Sequence, residues 1–72
     1  MKKTFKLEEL DCANCAARME AAINKIKEVN SAAVSFMASS LTLDADDEIF
    51  EQALEKAEKA IRRVDFACRV VR

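Results

Sequence analysis

The sequence predicts an α+β domain: a four-stranded antiparallel sheet with two helices on one face, in the order βαββαβ. Three observations lead to it. Two stretches with apolar residues at helical spacing are interleaved with four short stretches of period two. Each helical stretch lies between strands and so acts as a right-handed crossover. The 72 residues (1–72) form a single domain without linker or low-complexity segment, so both apolar stripes have one sheet to bury against.

Residues 4–10 read as the first strand, with Phe5 and Leu7 on one face and Lys6 and Glu8 on the other. From about residue 13 to residue 27 the period becomes helical. Ala16, Met19, Ala22 or Ile23, and Ile26 form the stripe, while Arg18, Glu20, Asn24, Lys25 and Lys27 lie largely off it. Asp11 or Asn14 is the expected cap. Residues 29–37 return to period two, Val34 and Phe36 sharing a face. A turn at 38–40 leads into Leu41 and Leu43, a hairpin made without glycine. The acidic run 44–48 reads as solvated capping of a second helix with the stripe Phe50, Ala53, Leu54, Ala57 and Ile61. Lys56, Lys59, Arg62 and Arg63 complement that helix's other end. Residues 64–71 read as the last strand, with Phe66, Cys68 and Val70 on one face. This is the ferredoxin-like split βαβ arrangement. Its topology gathers the segment around residues 11–15, the 37–40 turn and residues 62–66 at one end, and sends the run 44–48 to the other.

Composition excludes several classes of function. Twelve basic against thirteen acidic residues give a net charge of -1, without the basic surplus of a nucleic-acid binder. With no histidine there is neither a Ser-His pair nor an imidazole ligand. With no glycine or proline there is no phosphate-cradling loop and no cis-proline. Residues 1–10 lack the apolar run of a signal peptide, and no stretch approaches the roughly 20 apolar residues that span a bilayer. A cytosolic domain with no membrane insertion of its own is the expectation. Three cysteines, an odd number with one close pair, do not make a secreted disulfide framework. Reduced thiols point to metal binding or redox chemistry.

The chemistry concentrates in Asp11-Cys12-Ala13-Asn14-Cys15, at a strand-to-helix junction. Thiolates are soft donors for zinc, cadmium, lead and copper(I), and a helix N-terminus favours the charged thiol. The three-residue spacing lets both sulfurs close on one ion. Copper(I) is content with two ligands; zinc, cadmium and lead want more. Asp11 is placed to supply a carboxylate oxygen as the third donor, the favoured reading over an N-capping role that accounts for it too. Such an incomplete site is suited to passing its ion on. Asn14 reads as loop chemistry, and Met37 as an ordinary turn side chain. Cys68 reads as a buried structural thiol in mid-strand, a sheet length from the loop. Cys-x-x-Cys is also a thiol-disulfide oxidoreductase motif, but the chain lacks the proline and tryptophan of thioredoxin-like sites, and its element order differs. A closed structural zinc site fails on arithmetic, since three cysteines without histidine do not make four ligands.

The stretch Leu10-Asp11-Cys12-Ala13-Asn14-Cys15-Ala16 resembles the metal-binding loop of the heavy-metal-associated domain family. Members are small βαββαβ modules that serve as metallochaperones or as N-terminal domains of metal-pumping P-type ATPases. The resemblance covers essentially the whole chain in element order and length. In the usual loop, Gly-Met-x-Cys-x-x-Cys, both cysteines bind metal, which implies that role for Cys12 and Cys15. An aspartate before the first cysteine is similar to the zinc, cadmium and lead branch, where it is a ligand, and this implies that role for Asp11. Copper members usually carry threonine or another small polar residue there. Leu10 stands at the Met position as an apolar anchor. Glu9 replaces the glycine, which implies that the backbone there need not adopt a positive φ. The copper branch often has a lysine before the last strand, where this chain has Arg62-Arg63-Val64-Asp65-Phe66. Arg62 and Arg63 read as a solvated helix end rather than as thiolate partners, and Phe66 as core rather than as a shield over the site.

The resemblance implies a cytosolic metal-binding domain, not itself an enzyme, of a zinc/cadmium/lead-transporting P-type ATPase in an inner membrane. Its partners would be a metal-donating protein or the pump's transmembrane part. A free-standing metallochaperone, for copper(I) among other ions, is the alternative. Met1 and Arg72, the latter at the end of the last strand, suit either a whole small protein or a piece of a longer pump.

Overall fold

The computed structural model describes residues 1–71, and the order of elements is the expected one. Strand β1 (Lys2–Glu8) is followed by helix α1 (Ala13–Asn24) and by the hairpin β2 (Ser31–Ser35) and β3 (Ser40–Asp44). A 3₁₀ turn (Asp47–Ile49) leads into helix α2 (Phe50–Val64), and β4 (Arg69–Val71) closes the sheet. The strands lie in the order β2-β3-β1-β4, and every neighbouring pair is antiparallel.

Register follows from the apolar alternation. Leu41 of β3 stands between Phe5 and Val34, and Leu7 of β1 pairs with Val70. That face of the sheet receives Ala16, Met19 and Ile23 from α1 and Ala53, Leu54, Ala57 and Ile61 from α2, all buried. Phe50 begins α2 with its ring 6.3 Å from that of Phe5, tying the helix start to β1. Among the described residues the core contains no polar or charged side chain. Such burial, at about 25 cal/mol per Å² of apolar surface, is what holds so short a chain together.

The boundaries depart from the sequence reading in ways that have local causes. Helix α1 stops at Asn24, not Lys27, where the exposed Asn24 amide bonds to the Glu20 carbonyl and to both backbone groups of Ala32. Ile26 still packs against the core from the following turn. β2 ends at Ser35, so Phe36 lies in the turn and not on a strand face with Val34. Ser39 takes the left-handed conformation (φ 49°) that glycine usually fills, and the Leu7 amide donates to its carbonyl at 2.7 Å. The acidic run makes no side-chain cap at the 3₁₀ turn. Asp46 instead accepts from the Asn30 amide, and Asp47 pairs with the Met1 ammonium at 3.0 Å. Finally, α2 continues through Val64, so the last strand begins at Arg69 rather than at residue 64. Phe66 is thereby left out of the core at 82% exposure, with the Arg62 guanidinium over its ring at 5.7 Å.

Glu9 overturns one expectation directly. Its φ is 62°, in the left-handed region, despite the absence of glycine. The turn it makes lets β1 end at Glu8 and buries Leu10 beneath the loop that follows. A non-glycine residue there costs about 1–2 kcal/mol, while glycine adds about 0.5–1 kcal/mol of unfolded-chain entropy. Glu9→Gly is therefore expected to raise the unfolding free energy by about 0.5–1 kcal/mol, and Glu9→Val, β-branched, to lower it by about 1 kcal/mol. Urea unfolding followed by helical circular dichroism reads both. A Glu9→Gly variant less stable than the parent would show that residue 9 is not left-handed in solution.

Candidate metal centre

Three loops meet at one end of the sheet, as the topology requires. The turn of Ser39 is bonded to β1 at Leu7, and the α2–β4 loop brings Asp65 toward the cysteines. Between them lies the junction of β1 and α1. Leu10 is buried and anchors this loop, while Asp11, Ala13 and Asn14 are exposed and Cys12 and Cys15 are partly covered.

Neither Asp11 nor Asn14 caps the helix. Cys12 occupies the N-cap, with extended backbone (φ -137°, ψ 117°), and its Sγ accepts the Cys15 N–H at 3.2 Å. Its carbonyl takes the first helical bond, from Ala16 N–H at 3.1 Å. One sulfur thus does the work usually given to a serine or aspartate oxygen. The helix end orients Cys12 toward Cys15, and the three-residue spacing that suggested a metal pair is also the spacing of a capping bond.

Electrostatics make the two thiols unlike. A hydrogen bond from the Cys15 thiol, joined by the Cys15 backbone N–H, holds Cys12 below the ordinary thiol value, against burial and the nearby charge of Asp11. Cys15 is pushed up to about 11, first by the bond it donates to Cys12, then by burial and by the charges of Cys12 and Asp65; Arg18 opposes the rise. The two thiols titrate together, with the ionised form favoured on Cys12 and the protonated form on Cys15.

The remaining residues singled out in the sequence fall into place around this pair. The Asp11 carboxylate is exposed and acts on Cys12 through its charge; among the described residues no group of three or more Cys, Asp, Glu or His side chains is already gathered to hold an ion. Arg62 is engaged with Phe66, and Arg63 is exposed on the outer face of α2. Arg18, one helical turn beyond Cys15, is the cation that acts on the thiols. The apolar stripe leaves Arg18 largely to one side, although its spacing from Cys15 is itself a signal that the two lie close on α1. Asp65 was likewise not singled out, since its proximity arises only when α2 and α1 pack together. Met37 is a turn side chain, 94% exposed. Cys68 is fully buried, but not a sheet length away: its N–H donates to the Asp65 carbonyl, and it feels the charges of Asp65, Asp11 and Glu9. Burial is the chief cause that raises its thiol above the ordinary value, so it is a packed, unreactive group beneath the loop.

The fold is a small α+β module that presents an unequal thiol pair at one end. The family model for the heavy-metal-associated domain matches residues 4–65, and the chain belongs to that family. It is 38% identical over 65 residues to the cadmium, zinc and cobalt-transporting ATPase of Bacillus subtilis (strain 168), which covers 90% of this chain and 9% of that protein. It is 37% identical over 62 residues to the zinc/cadmium/lead-transporting P-type ATPase of Escherichia coli (strain K12), covering 82% of this chain and 8% of that protein. The chain therefore spans only a small part of the length of these relatives. Among solved structures, the apo N-terminal domain of ZntA superposes with a TM-score of 0.71 at 28% identity, over 99% of this chain and 92% of that one. The CopZ metallochaperone superposes with a TM-score of 0.74 at 27% identity, over 99% and 100% of the two chains. The four-stranded sheet with two helices on one face is the fold of these neighbours.

The unequal thiols give a direct test. Thiolate absorbance followed against pH should rise in separate steps, Cys12 below the ordinary thiol value and Cys15 near 11. Limited alkylation in mildly alkaline buffer should label Cys12 before Cys15, with Cys68 unmodified until the domain unfolds. Equal labelling of Cys12 and Cys15 would show that the thiol–thiolate bond does not form.

Proposed function

We propose that this chain binds a soft divalent ion (zinc, cadmium or lead) through the sulfurs of Cys12 and Cys15 with the Asp11 carboxylate, and releases it by ligand exchange. The observation that carries the proposal is the Cys12 Sγ capping α1 beside Cys15, a sulfur pair pre-oriented at an accessible end of a rigid sheet. Cys12 loses its proton first and makes the first bond to the ion. Closure onto Cys15 expels the second proton to solvent, and the metal's positive charge supplies the drive for a thiol otherwise reluctant to ionise. Rotation of the exposed Asp11 side chain then adds oxygen to two sulfurs and leaves a coordination position open. A thiolate or carboxylate of the partner attacks that position, and the ion leaves through a shared intermediate without ever being bare.

The divalent choice rests on Asp11 and on the names of the relatives, which are transporters of cadmium, zinc, cobalt or lead. The same names support a place for the chain as the cytosolic N-terminal domain of an ATP-driven efflux pump in an inner membrane. ATP hydrolysis would lie in other parts of that protein, and the transmembrane part or a metal-donating protein would be the exchange partner. No helix among the described residues is long and apolar enough to cross a membrane. The likeness to the CopZ metallochaperone over the whole of that chain favours a second reading, a free-standing carrier. Two sulfurs alone satisfy copper(I), so in that reading Asp11 contributes nothing.

Competitive isotherms with zinc, cadmium and copper(I) separate these readings. Cys12→Ser with Cys15→Ser should abolish uptake of all three ions. Asp11→Ala should weaken zinc and cadmium by about tenfold, equivalent to about 1.4 kcal/mol, and leave copper(I) unchanged. Divalent affinity indifferent to Asp11 would remove the selectivity for zinc, cadmium and lead. The apolar core does not depend on the ion, so helical circular dichroism should survive chelator; its loss would mark the metal as structural instead.

A further inference from the structure

β2 is an outer strand of the sheet, bonded to β3 on one side. Outer strands normally advertise unpaired N–H and C=O groups on their free side, and proteins guard them with charge, proline or bulges. β2 has none of these guards: its residues are Ser31, Ala32, Ala33, Val34 and Ser35. Small, uncharged and extended, it is by composition an open invitation to another strand.

Its free side is nevertheless occupied. Glu20 Oε1 accepts the Val34 N–H at 2.9 Å. The Asn24 amide takes Ala32 at both groups, Oδ1 accepting its N–H and Nδ2 donating to its carbonyl, each at 2.9 Å. Nδ2 also donates to the Glu20 carbonyl at 2.9 Å, which fixes the amide in place. Ala32 and Val34 are the alternate residues whose backbone faces away from β3. Two side chains one turn apart on α1 therefore stand in for three of the hydrogen bonds that a fifth strand would make to Ala32 and Val34.

We infer that the outer edge of β2 is a pairing surface for β2 of a second copy of this chain, and that Glu20 and Asn24 are the mask that holds it closed. The edge is self-complementary. An antiparallel pair about a twofold axis at Ala33 sets Ala32 of one copy opposite Val34 of the other, so the masked groups satisfy one another. The result is a continuous eight-stranded sheet. No charge on β2 opposes it, because Ala33, which would face its own copy, is neutral and exposed.

Sedimentation over a wide range of concentration, with amide exchange at Ala32 and Val34, tests the inference. The parent chain should be monomeric, with both amides protected. Glu20→Ala/Asn24→Ala should dimerise with rising concentration. Its two amides should exchange about tenfold faster than the parent's when dilute and regain protection when concentrated. Adding Ala33→Lys, which sets like charges opposite each other, should restore the monomer. A folded double variant that stays monomeric overturns the inference, as does a dimer in which both amides still exchange fast. Should the double variant not fold, parent exchange decides: fast exchange at Ala32 and Val34 in the folded chain shows that no mask exists.

Discussion

The Cys12 sulfur caps the first turn of α1 and, in the proposed function, would also hold the ion. In the metal-free chain it holds the first turn of α1 by accepting the Cys15 N–H and anchors the thiol of Cys15. In the proposed function it would turn part of its electron density to the ion. An N-cap is worth about 1 kcal/mol, while soft-metal bonds to thiolates in zinc sites amount to about 10 kcal/mol or more. The cap therefore cannot compete once an ion arrives. What it does is remove conformational freedom beforehand, so that the two sulfurs need not be ordered at the moment of binding. The cost of that arrangement falls on the loop before it, where Glu9 accepts a left-handed backbone so that Leu10 can be buried as an anchor.

The parts of this architecture visible in the sequence are those whose partners recur at a fixed spacing. The stripe from Phe50 to Ile61 shows helix α2, and Leu41 and Leu43 show β3, because each residue's neighbours on the same face are in the same stretch. Cys12 and Cys15 were legible for the same reason. Glu20 and Asn24 were not. Their partners are backbone groups of Ala32 and Val34, and every residue carries such groups, so nothing in the sequence marks them. Phe66 shows the opposite failure. It fits a period-two run with Cys68 and Val70, yet α2 continues to Val64 and the chain reaches the sheet only at Arg69. The left-handed turns at Glu9 and Ser39 were hidden because the residue that ordinarily announces them, glycine, is absent from the chain.

Packing of α1 against α2 also sets the charge around the thiols. Arg18 on α1 and Asp65 at the end of α2 act on Cys15 with opposite sign, and Asp11 adds a second negative charge beside Cys12. Two thiolates held among carboxylates with little positive support would repel one another. A divalent cation would relieve that repulsion more fully than a monovalent one, which gives the proposed divalent preference an electrostatic component in addition to ligand count. Phe66, next to Asp65 in the α2–β4 loop, stays exposed, with the Arg62 guanidinium over its ring.

The two edges of the sheet are protected by different means. β4 spans three of the described residues, and Arg69 on it is paired with Glu8 at 3.1 Å, which puts charge on that edge. β2 is longer and bland, and the helix that shields it is the same helix whose first turn carries Cys12 and Cys15. Bonds from Glu20 and Asn24 fix α1 along its axis relative to β2, in steps of one backbone repeat. A slide of α1 by one turn, about 5.4 Å, would break all three and carry the thiols with it. Edge protection and placement of the sulfurs are thus consequences of one set of contacts, and the position of the site is as firm as the grip of α1 on the strand beside it.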